Sequence, residues 1–243
     1  VREGNQAAEH TQLDAYGEMI LSISPIFFDQ RFSHLRTKEL ENLLWELGKK
    51  CEDSLGKPDA GLWEIRGGWK EHTFSNLMSW AGLDRLQRLK RLGFLPNDGW
   101  NLQSALDKSV QRIQLSTQSE VFRNSPSDDT IDASLVLSTI LKYPNQQVNL
   151  STLEEVIAQL QLEDSGLFFR YKRSDDFGTP DSAFLICSFW VVQALVRHNQ
   201  RDRAFDIFCK VSQTKNSLGL FSEHFHPNTK RQLGNFPQAY SHV

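Results

Sequence analysis

Apolar residues recur at helical spacing in several segments of the chain. In each segment the positions i, i+3, i+4 and i+7 are apolar, which places one apolar stripe on one face of a helix. The four clearest sets are Leu40, Leu43, Leu44 and Leu47; Phe74, Leu77, Met78 and Ala81; Leu153, Val156, Ile157 and Leu160; and Ala204, Ile207, Phe208 and Val211. Ser151 and Glu154 fit a capping box at the start of the third set. These patterns predict four amphipathic helices.

Other segments extend the helical pattern. Residues 181–197 are apolar nearly all round, which predicts a helix buried between neighbours. Segments near residues 7–23, 102–113 and 131–141 bring the total to about eight helices. No run of alternating residues predicts a strand, so the expected fold class is all-α.

The connections between these helices are long and contain many residues of the types found in active sites. Residues 57–68, 164–180 and 216–237 carry glycine, aromatic, arginine and acidic residues. Long loops in a compact helical domain usually serve function. The polar stretch 116–129 is the best candidate for a mobile loop.

Composition excludes several classes of partner. Lys plus Arg total 27 and Asp plus Glu total 30, so a net charge of -3 gives no electrostatic case for nucleic acid or an anionic membrane. No apolar run approaches the roughly 20 residues of a membrane span. We therefore expect neither a nucleic-acid nor a membrane partner.

The three cysteines carry little functional signal. Cys51, Cys187 and Cys209 include no CxxC pair, and the last two sit among apolar residues, which predicts buried free thiols. Nothing requires an oxidising compartment, so a cytoplasmic location is favoured.

The first candidate site is the glycine-flanked segment 61–68. Glu64 stands between two aromatic residues, Trp63 and Trp69. An apolar setting favours the protonated carboxyl that a general acid needs. Arg66 could donate its planar fork to ligand hydroxyls or orient a carboxylate. Alternatively, the segment is a surface turn whose tryptophans fill the core.

The second candidate is the segment 219–227, in which Glu223 again stands among aromatic residues. His224 and His226 have i, i+2 spacing and no established third ligand, so we expect no metal and no other cofactor. Alternatively, both histidines face solvent or serve packing.

The third candidate is the segment 168–178, where aromatic, basic and acidic residues alternate. Such a segment could bind a polyol, a phosphate or single-stranded nucleic acid, but Asp175 and Asp176 argue against the last two. It could also be an ordinary surface salt-bridge cluster. Two glutamates in separate aromatic loops fit the acid and base pair of a glycosidase.

At these motifs the sequence resembles glycoside hydrolase family 15, the glucoamylase family. The resemblance rests on residues 4–18, on Leu-Trp-Glu-Ile-Arg-Gly (62–67) with residues 72–85, on Arg170-Tyr171 with residues 183–190, and on Gly-Leu-Phe-Ser-Glu (219–223) with residues 234–242. These stretches span nearly the whole chain in family order.

The resemblance implies an (α/α)6 toroid of paired helices, an active site at one mouth and hydrolysis of α-glucosidic bonds with inversion. It makes Glu64 the general acid and Glu223 the general base. Their carboxyl groups should then lie roughly 6.5–9.5 Å apart, to leave room for water. Arg170 would bind sugar hydroxyls in the innermost subsite and Trp63 would line it. Looser substrate-binding roles follow for Arg66, His72, Asp14 and Asp176.

The resemblance also predicts that the toroid is incomplete. An earlier helical motif that grips the non-reducing glucose, an N-terminal β-sandwich and a helix after His242 are absent from residues 1–243. We therefore expect this chain to be part of a catalytic domain that works with N-terminal segments of the same polypeptide. Expressed alone, it should be poorly soluble or self-associate, and its activity should be very low.

The expected activity is that of an exo-acting α-glucosidase that releases glucose from starch-type oligosaccharides. A trehalase of the same family is the close alternative, because the catalytic pair would be unchanged. The substrate is thus an α-linked gluco-oligosaccharide or disaccharide. Glu223 argues against a phosphorylase with a similar toroid, which needs no general-base carboxylate. A helical scaffold without activity is the remaining alternative.

Overall fold

The computed structural model describes residues 9–96, 99–175 and 178–242. Most of these residues are helical, and the chain divides into two compact units. Unit 1 is Val1–Ser116 with Ser125–Ser127, and unit 2 is Thr117–Asn124 with Asp128–Val243. The prediction of a mainly helical fold is confirmed.

Unit 1 is organised around its longest helix. Its helices are α1 (Asp14–Ile23), α2 (Pro25–Phe28), α3 (Lys38–Ser54), α4 (Thr73–Arg91) and α5 (Leu102–Gln114), with a 3-10 helix (Gln30–Leu35) between α2 and α3. α1, α3 and α5 all pack against α4. Because it is surrounded, α4 buries residues on almost every side along its first half.

The contact between α1 and α4 depends on glycine. A Cβ added to Gly17 would lie 2.1 Å from the carbonyl oxygen of Met78, and one added to Gly82 would lie 3.1 Å from Gly17 Cα. Any side chain at Gly17 would therefore push α1 away from α4.

Unit 2 combines helices with two small antiparallel sheets. Its elements are β1 (Thr117–Gln118), β2 (Val121–Phe122), a 3-10 helix (Ala133–Val136), α6 (Leu137–Leu141), α7 (Gln146–Leu160), β3 (Ala183–Phe184), α8 (Leu185–Arg197), α9 (Arg201–Ser212), β4 (His224–His226), β5 (Arg231–Leu233) and a 3-10 helix (Ala239–Ser241). β1 pairs with β2, and the second sheet has the order β3-β4-β5. In that sheet Phe184 pairs with His224, and His224 pairs with Leu233.

The four predicted amphipathic stripes are confirmed as the buried faces of α3, α4, α7 and α9, although Leu40, Leu43 and Ile157 are only half-buried and Phe208 is exposed. Phe208 is 45% exposed, although Ala204, Ile207 and Val211 of the same set are buried. The predicted helix 181–197 begins only at Leu185, because Ala183 and Phe184 pair with β4. α8 packs against α6, α7 and α9, as its apolar composition predicts, while Val196 is 46% exposed.

Several local predictions are wrong. The helix predicted over residues 7–23 begins at Asp14. α7 begins five residues before the predicted capping box, because Asn145 caps it by accepting a hydrogen bond from the amide of Val148 at 3.1 Å. The expectation of no strands fails because the strands are only two or three residues long. The stretch 116–129, expected as a mobile loop, contains the β1–β2 hairpin, in which Val121 and Phe122 are buried.

The cysteine prediction is half right. Cys187 is buried, but Cys209 is exposed, because it lies off the stripe by which α9 contacts its neighbours. Cys51 is also buried, and burial raises the pKa of its thiol to about 12. Within the described ranges, no helix is long and apolar enough to cross a membrane.

Candidate active site

Glu64 lies in the connection between α3 and α4, and backbone hydrogen bonds hold this connection in place. The amide of Asp59 donates to the carbonyl of Lys70 at 3.0 Å, and the amide of Ala60 donates to the carbonyl of Thr11 at 2.9 Å. The amide of Glu64 donates to the carbonyl of Gly61 at 3.2 Å. Glu64 has a φ of 54°, a left-handed value that is uncommon for a residue other than glycine. Such outliers cluster at functional sites.

The surroundings of Glu64 differ from the predicted aromatic enclosure. Glu64 and Arg66 are exposed, and Trp63 is half-buried. Trp69 is 37% exposed, and its ring contacts His10 edge-on with the centroids 6.3 Å apart. The tight turn from Gly61 to Glu64 leaves the carboxylate on the surface of the loop, so the expectation of an apolar setting is wrong.

Beneath this loop lies a pair of buried acids. Asp59 is fully buried, and its Oδ2 accepts hydrogen bonds from the amide of Leu13 at 2.8 Å and from Ser75 Oγ at 2.9 Å. Burial raises the pKa of Asp59, although these hydrogen bonds and the nearby His72 oppose the shift. Burial, followed by the charges of Glu18 and Asp59, raises the pKa of Asp14 to about 7. The negative charge of Asp59 therefore favours the protonated form of Asp14.

The predicted substrate-binding residues His72 and Asp14 are both buried beneath this loop. His72 is the residue before α4, and it is 6% exposed; Asp14 opens α1 and is 2% exposed. Their roles in substrate binding stay predictions. Asp59 is not among the residues predicted from the sequence, although it follows a proline and stands five residues before Glu64.

Glu223 lies in unit 2, where it extends the β3-β4-β5 sheet by one residue. The amide of Glu223 donates to the carbonyl of Asn235 at 2.9 Å, and its carbonyl accepts from the amide of Leu185 at 3.0 Å. Its Oε2 accepts two further bonds from Asn235, one from the backbone amide at 2.9 Å and one from Nδ2 at 3.0 Å. Asn235 is not among the predicted site residues, although it falls in the segment 234–242 that carries the family resemblance.

Arg170 belongs to a separate charged cluster in unit 2. Its guanidinium forms an ion pair with Asp175, whose Oδ2 also accepts the hydroxyl of Tyr171 at 2.7 Å. The Tyr171 ring lies 4.9 Å from the guanidinium carbon of Arg170 and 3.9 Å from that of Arg173. Arg173 also bonds the buried Asp132 at 3.0 Å. Asp176, the remaining predicted binding residue, lies outside the described residues.

A polar cavity of about 370 Å³ opens beside this cluster. Its lining includes Arg170, Asp175, Asp181, His224 and Leu233. Burial lowers the pKa of His224, whose ring contacts Phe184 with the centroids 4.5 Å apart. Glu223 is not among the lining residues, because successive strand residues point to opposite faces. The structure thus places Arg170 and His224 on the lining of one cavity.

Among the described residues, no group of three or more His, Cys, Asp or Glu side chains is placed to hold a metal ion. His226 instead accepts a hydrogen bond from the amide of Thr229 at 3.3 Å, within the turn between β4 and β5.

Comparison with known proteins identifies the family. The model for glycosyl hydrolases family 15 matches residues 1–243. The chain belongs to this family. A trehalase of Thermoplasma volcanium is 30% identical over 248 residues, which cover all of the chain and 39% of that relative. The family 15 chain thus spans about two fifths of the length of this relative.

Solved structures show the fold of this family 15 chain. A glycosidase variant solved in complex with glucose matches 91% of the chain and 60% of its own length, with a TM-score of 0.72 and 14% identity. A bacterial glucoamylase solved with acarbose matches 89% of the chain and 37% of its own length, with a TM-score of 0.59 and 16% identity. The predicted fold class, part of an (α/α)6 toroid, agrees with these neighbours.

Proposed function

We propose that residues 1–243 are part of the catalytic domain of an inverting α-glucosidase that hydrolyses trehalose. Glu64 acts as the general acid and Glu223 as the general base. The observation that carries this proposal is the geometry of Glu223. Asn235 holds its Oε2 with two donors, while no hydrogen bond from the described residues reaches its Oε1. One oxygen of a fixed carboxylate is thus available to a water molecule.

The reaction follows from these two roles. Glu64 protonates the glycosidic oxygen, whose bond to the anomeric carbon breaks. A water molecule attacks that carbon from the opposite face, and Glu223 accepts the proton that the water loses. Inversion at the attacked carbon of trehalose gives one β-glucose, while the departing sugar leaves as α-glucose. No cofactor takes part in these steps.

Other residues of the chain would bind the sugar. Arg170 presents a guanidinium at the polar cavity and would donate to sugar hydroxyls there. Trp63 would offer an apolar face to the sugar of the innermost subsite. Arg66, which is exposed on the Glu64 loop, would act near it. His72 and Asp14 lie beneath that loop and would act mainly by supporting it.

Trehalose is favoured over starch-type oligosaccharides by the curated relative. The relative from Thermoplasma volcanium is a trehalase, and its 30% identity extends over the whole of the family 15 chain. Hydrolysis of α-linked gluco-oligosaccharides is the second candidate, because a bacterial glucoamylase has the same fold. The acid and base would be the same in either enzyme, so the substrate decides between them.

Product analysis of the full-length natural polypeptide tests both candidates. We expect kcat/KM for trehalose to exceed that for maltose and maltotriose by at least about tenfold. Proton NMR at early times should show equal amounts of α- and β-glucose from trehalose. Faster release of β-glucose from maltotriose would favour the glucoamylase reaction. Initial release of α-glucose alone would contradict inversion.

A further inference from the structure

Three hydrogen bonds join Glu223 to one residue, Asn235. The Asn235 carbonyl accepts the amide of Glu223 at 2.9 Å, and Oε2 of Glu223 accepts the Asn235 amide at 2.9 Å and Nδ2 at 3.0 Å. Asn235 therefore binds both the backbone and the carboxylate of Glu223, which lies twelve positions earlier in the chain.

The approach of Asn235 to the carboxylate requires the glycine that precedes it. Gly234 has a φ of 76°, and a Cβ at this position would lie 2.6 Å from Glu223 Oε2. The backbone of the 234–235 segment thus passes against the carboxylate more closely than any other residue type would permit.

We propose that Asn235 is a positioning residue for the general base, and that it assigns different tasks to the two carboxylate oxygens. The terminal torsion of a glutamate is broad and roughly two-fold, so an unrestrained carboxylate exchanges its oxygens readily. Two donors on Oε2 fix that torsion and leave Oε1 to accept the proton of the attacking water. This inference rests on the proposed function of Glu223.

Substitution of Asn235 can remove the hydrogen bond from its side chain, but not the hydrogen bond from its backbone amide. Asn235→Ala keeps the backbone donor and deletes Nδ2, and Asn235→Asp replaces the donor by a carboxylate that faces another carboxylate. A hydrogen bond to a charged group is commonly worth a factor of about ten or more in an equilibrium. We expect kcat on trehalose to fall about tenfold for Asn235→Ala and further for Asn235→Asp, with KM changed less than about twofold.

A double-mutant cycle in the full-length natural polypeptide separates positioning of Glu223 from general support of the loop. Glu223→Ala is measured alone and combined with Asn235→Ala, with and without azide. Azide would attack the anomeric carbon in place of water, forming a C–N bond while the glycosidic C–O bond breaks. Glu64 would protonate the departing oxygen, and the product would be β-glucosyl azide.

If Asn235 acts through the carboxylate, its removal changes the residual turnover of Glu223→Ala by less than about twofold. An equal loss of about tenfold in both backgrounds would show a purely structural role and overturn the proposal, as would a kcat of Asn235→Ala within about twofold of the parent. Asn228→Ala, at an exposed position of the β4–β5 turn, is the control for folding. Near-parental turnover of Glu223→Ala would instead disprove the function proposed for Glu223.

Discussion

The imidazole of His72 lies directly against Gly61, so that a Cβ on Gly61 would stand 2.8 Å from His72 Cδ2. Gly61 also has a φ of 65°, which side chains rarely permit. Since Glu64 N–H bonds the carbonyl of Gly61, this contact connects the proposed acid to the start of α4.

Substitution of Gly61 should therefore destabilise unit 1. Gly61→Ala introduces both a left-handed alanine and a clash with His72, and we expect a loss of about 2–4 kcal/mol in the free energy of unfolding. Gly68→Ala has a φ of 62° but open space around its Cβ, so it should cost only about 1 kcal/mol. Gly67→Ala meets neither obstacle and serves as the control. Denaturant unfolding of the three variants checks the order, and equal losses would refute the role of His72.

The raised pKa of Asp14 predicts a stability that depends on pH. In the folded chain its pKa is about 7, against 3.8 ordinarily, so the folded state holds a proton that the unfolded state has lost. Between about pH 4 and pH 7 this group therefore lowers stability as pH rises, by up to about 4 kcal/mol. Asp14→Asn cannot ionise and should become progressively more stable than the parent over this range.

Thermal unfolding of the parent and Asp14→Asn at about pH 4.5, near the lower end of this range, and at about pH 8, above it, measures the effect. Asp53→Asn, at an exposed position of α3, provides the control. A gain for Asp14→Asn that is the same at both values would show that ionisation of Asp14 does not limit stability.

A buried and an exposed arginine ion pair of unit 2 should differ in their contributions to stability. The side chains of Arg173 and Asp132 are 15% and 3% exposed, whereas those of Arg203 and Glu154 are 45% and 43% exposed. Removing one partner of a buried pair leaves a costly charge, so Arg173→Met should lower the free energy of unfolding by about 3–5 kcal/mol. Arg203→Met should lower it by less than about 1 kcal/mol.

Urea denaturation compares the two variants directly. Equal losses would show that solvent reaches Asp132 despite its burial. Loss of the packing of Arg173 over Tyr171 contributes to the first effect. Arg173→Lys, which keeps the charge but not the planar fork, should recover only part of the stability.

The sequence predicts the helices well because their apolar spacing is local. Leu77 and Met78, for example, mark the buried face of α4 without reference to any distant residue. The strands escape prediction because their pairing is not local: Phe184 pairs with His224, forty positions away. The start of α7 is not predicted correctly because Asn145 and Ser151 are both good helix caps. Only Asn145 lies at the observed start of the helix.

The candidate site shows the same division. Glu64 and Glu223 are recognisable from the residues on either side of them. The support of each depends on residues that only folding brings near: Asn235 against Glu223, and Asp59 and His72 beneath the Glu64 loop. The exposure of Glu64 also depends on backbone geometry, since neighbouring tryptophans in sequence need not enclose a residue that turns outward at a left-handed φ.

The roles of the two glutamates predict different responses to the leaving group. Glu64→Gln in the full-length polypeptide cannot protonate the departing oxygen, so kcat/KM for trehalose should fall by about 10²–10⁴. An aryl α-glucoside with an acidic phenol needs little protonation, and its hydrolysis should fall far less. Glu223→Gln should slow both substrates to a similar extent, because both need an activated water. Glu46→Gln, at an exposed position of α3, is the control for removal of a charge. An equal loss on both substrates for Glu64→Gln would show that another residue is the acid.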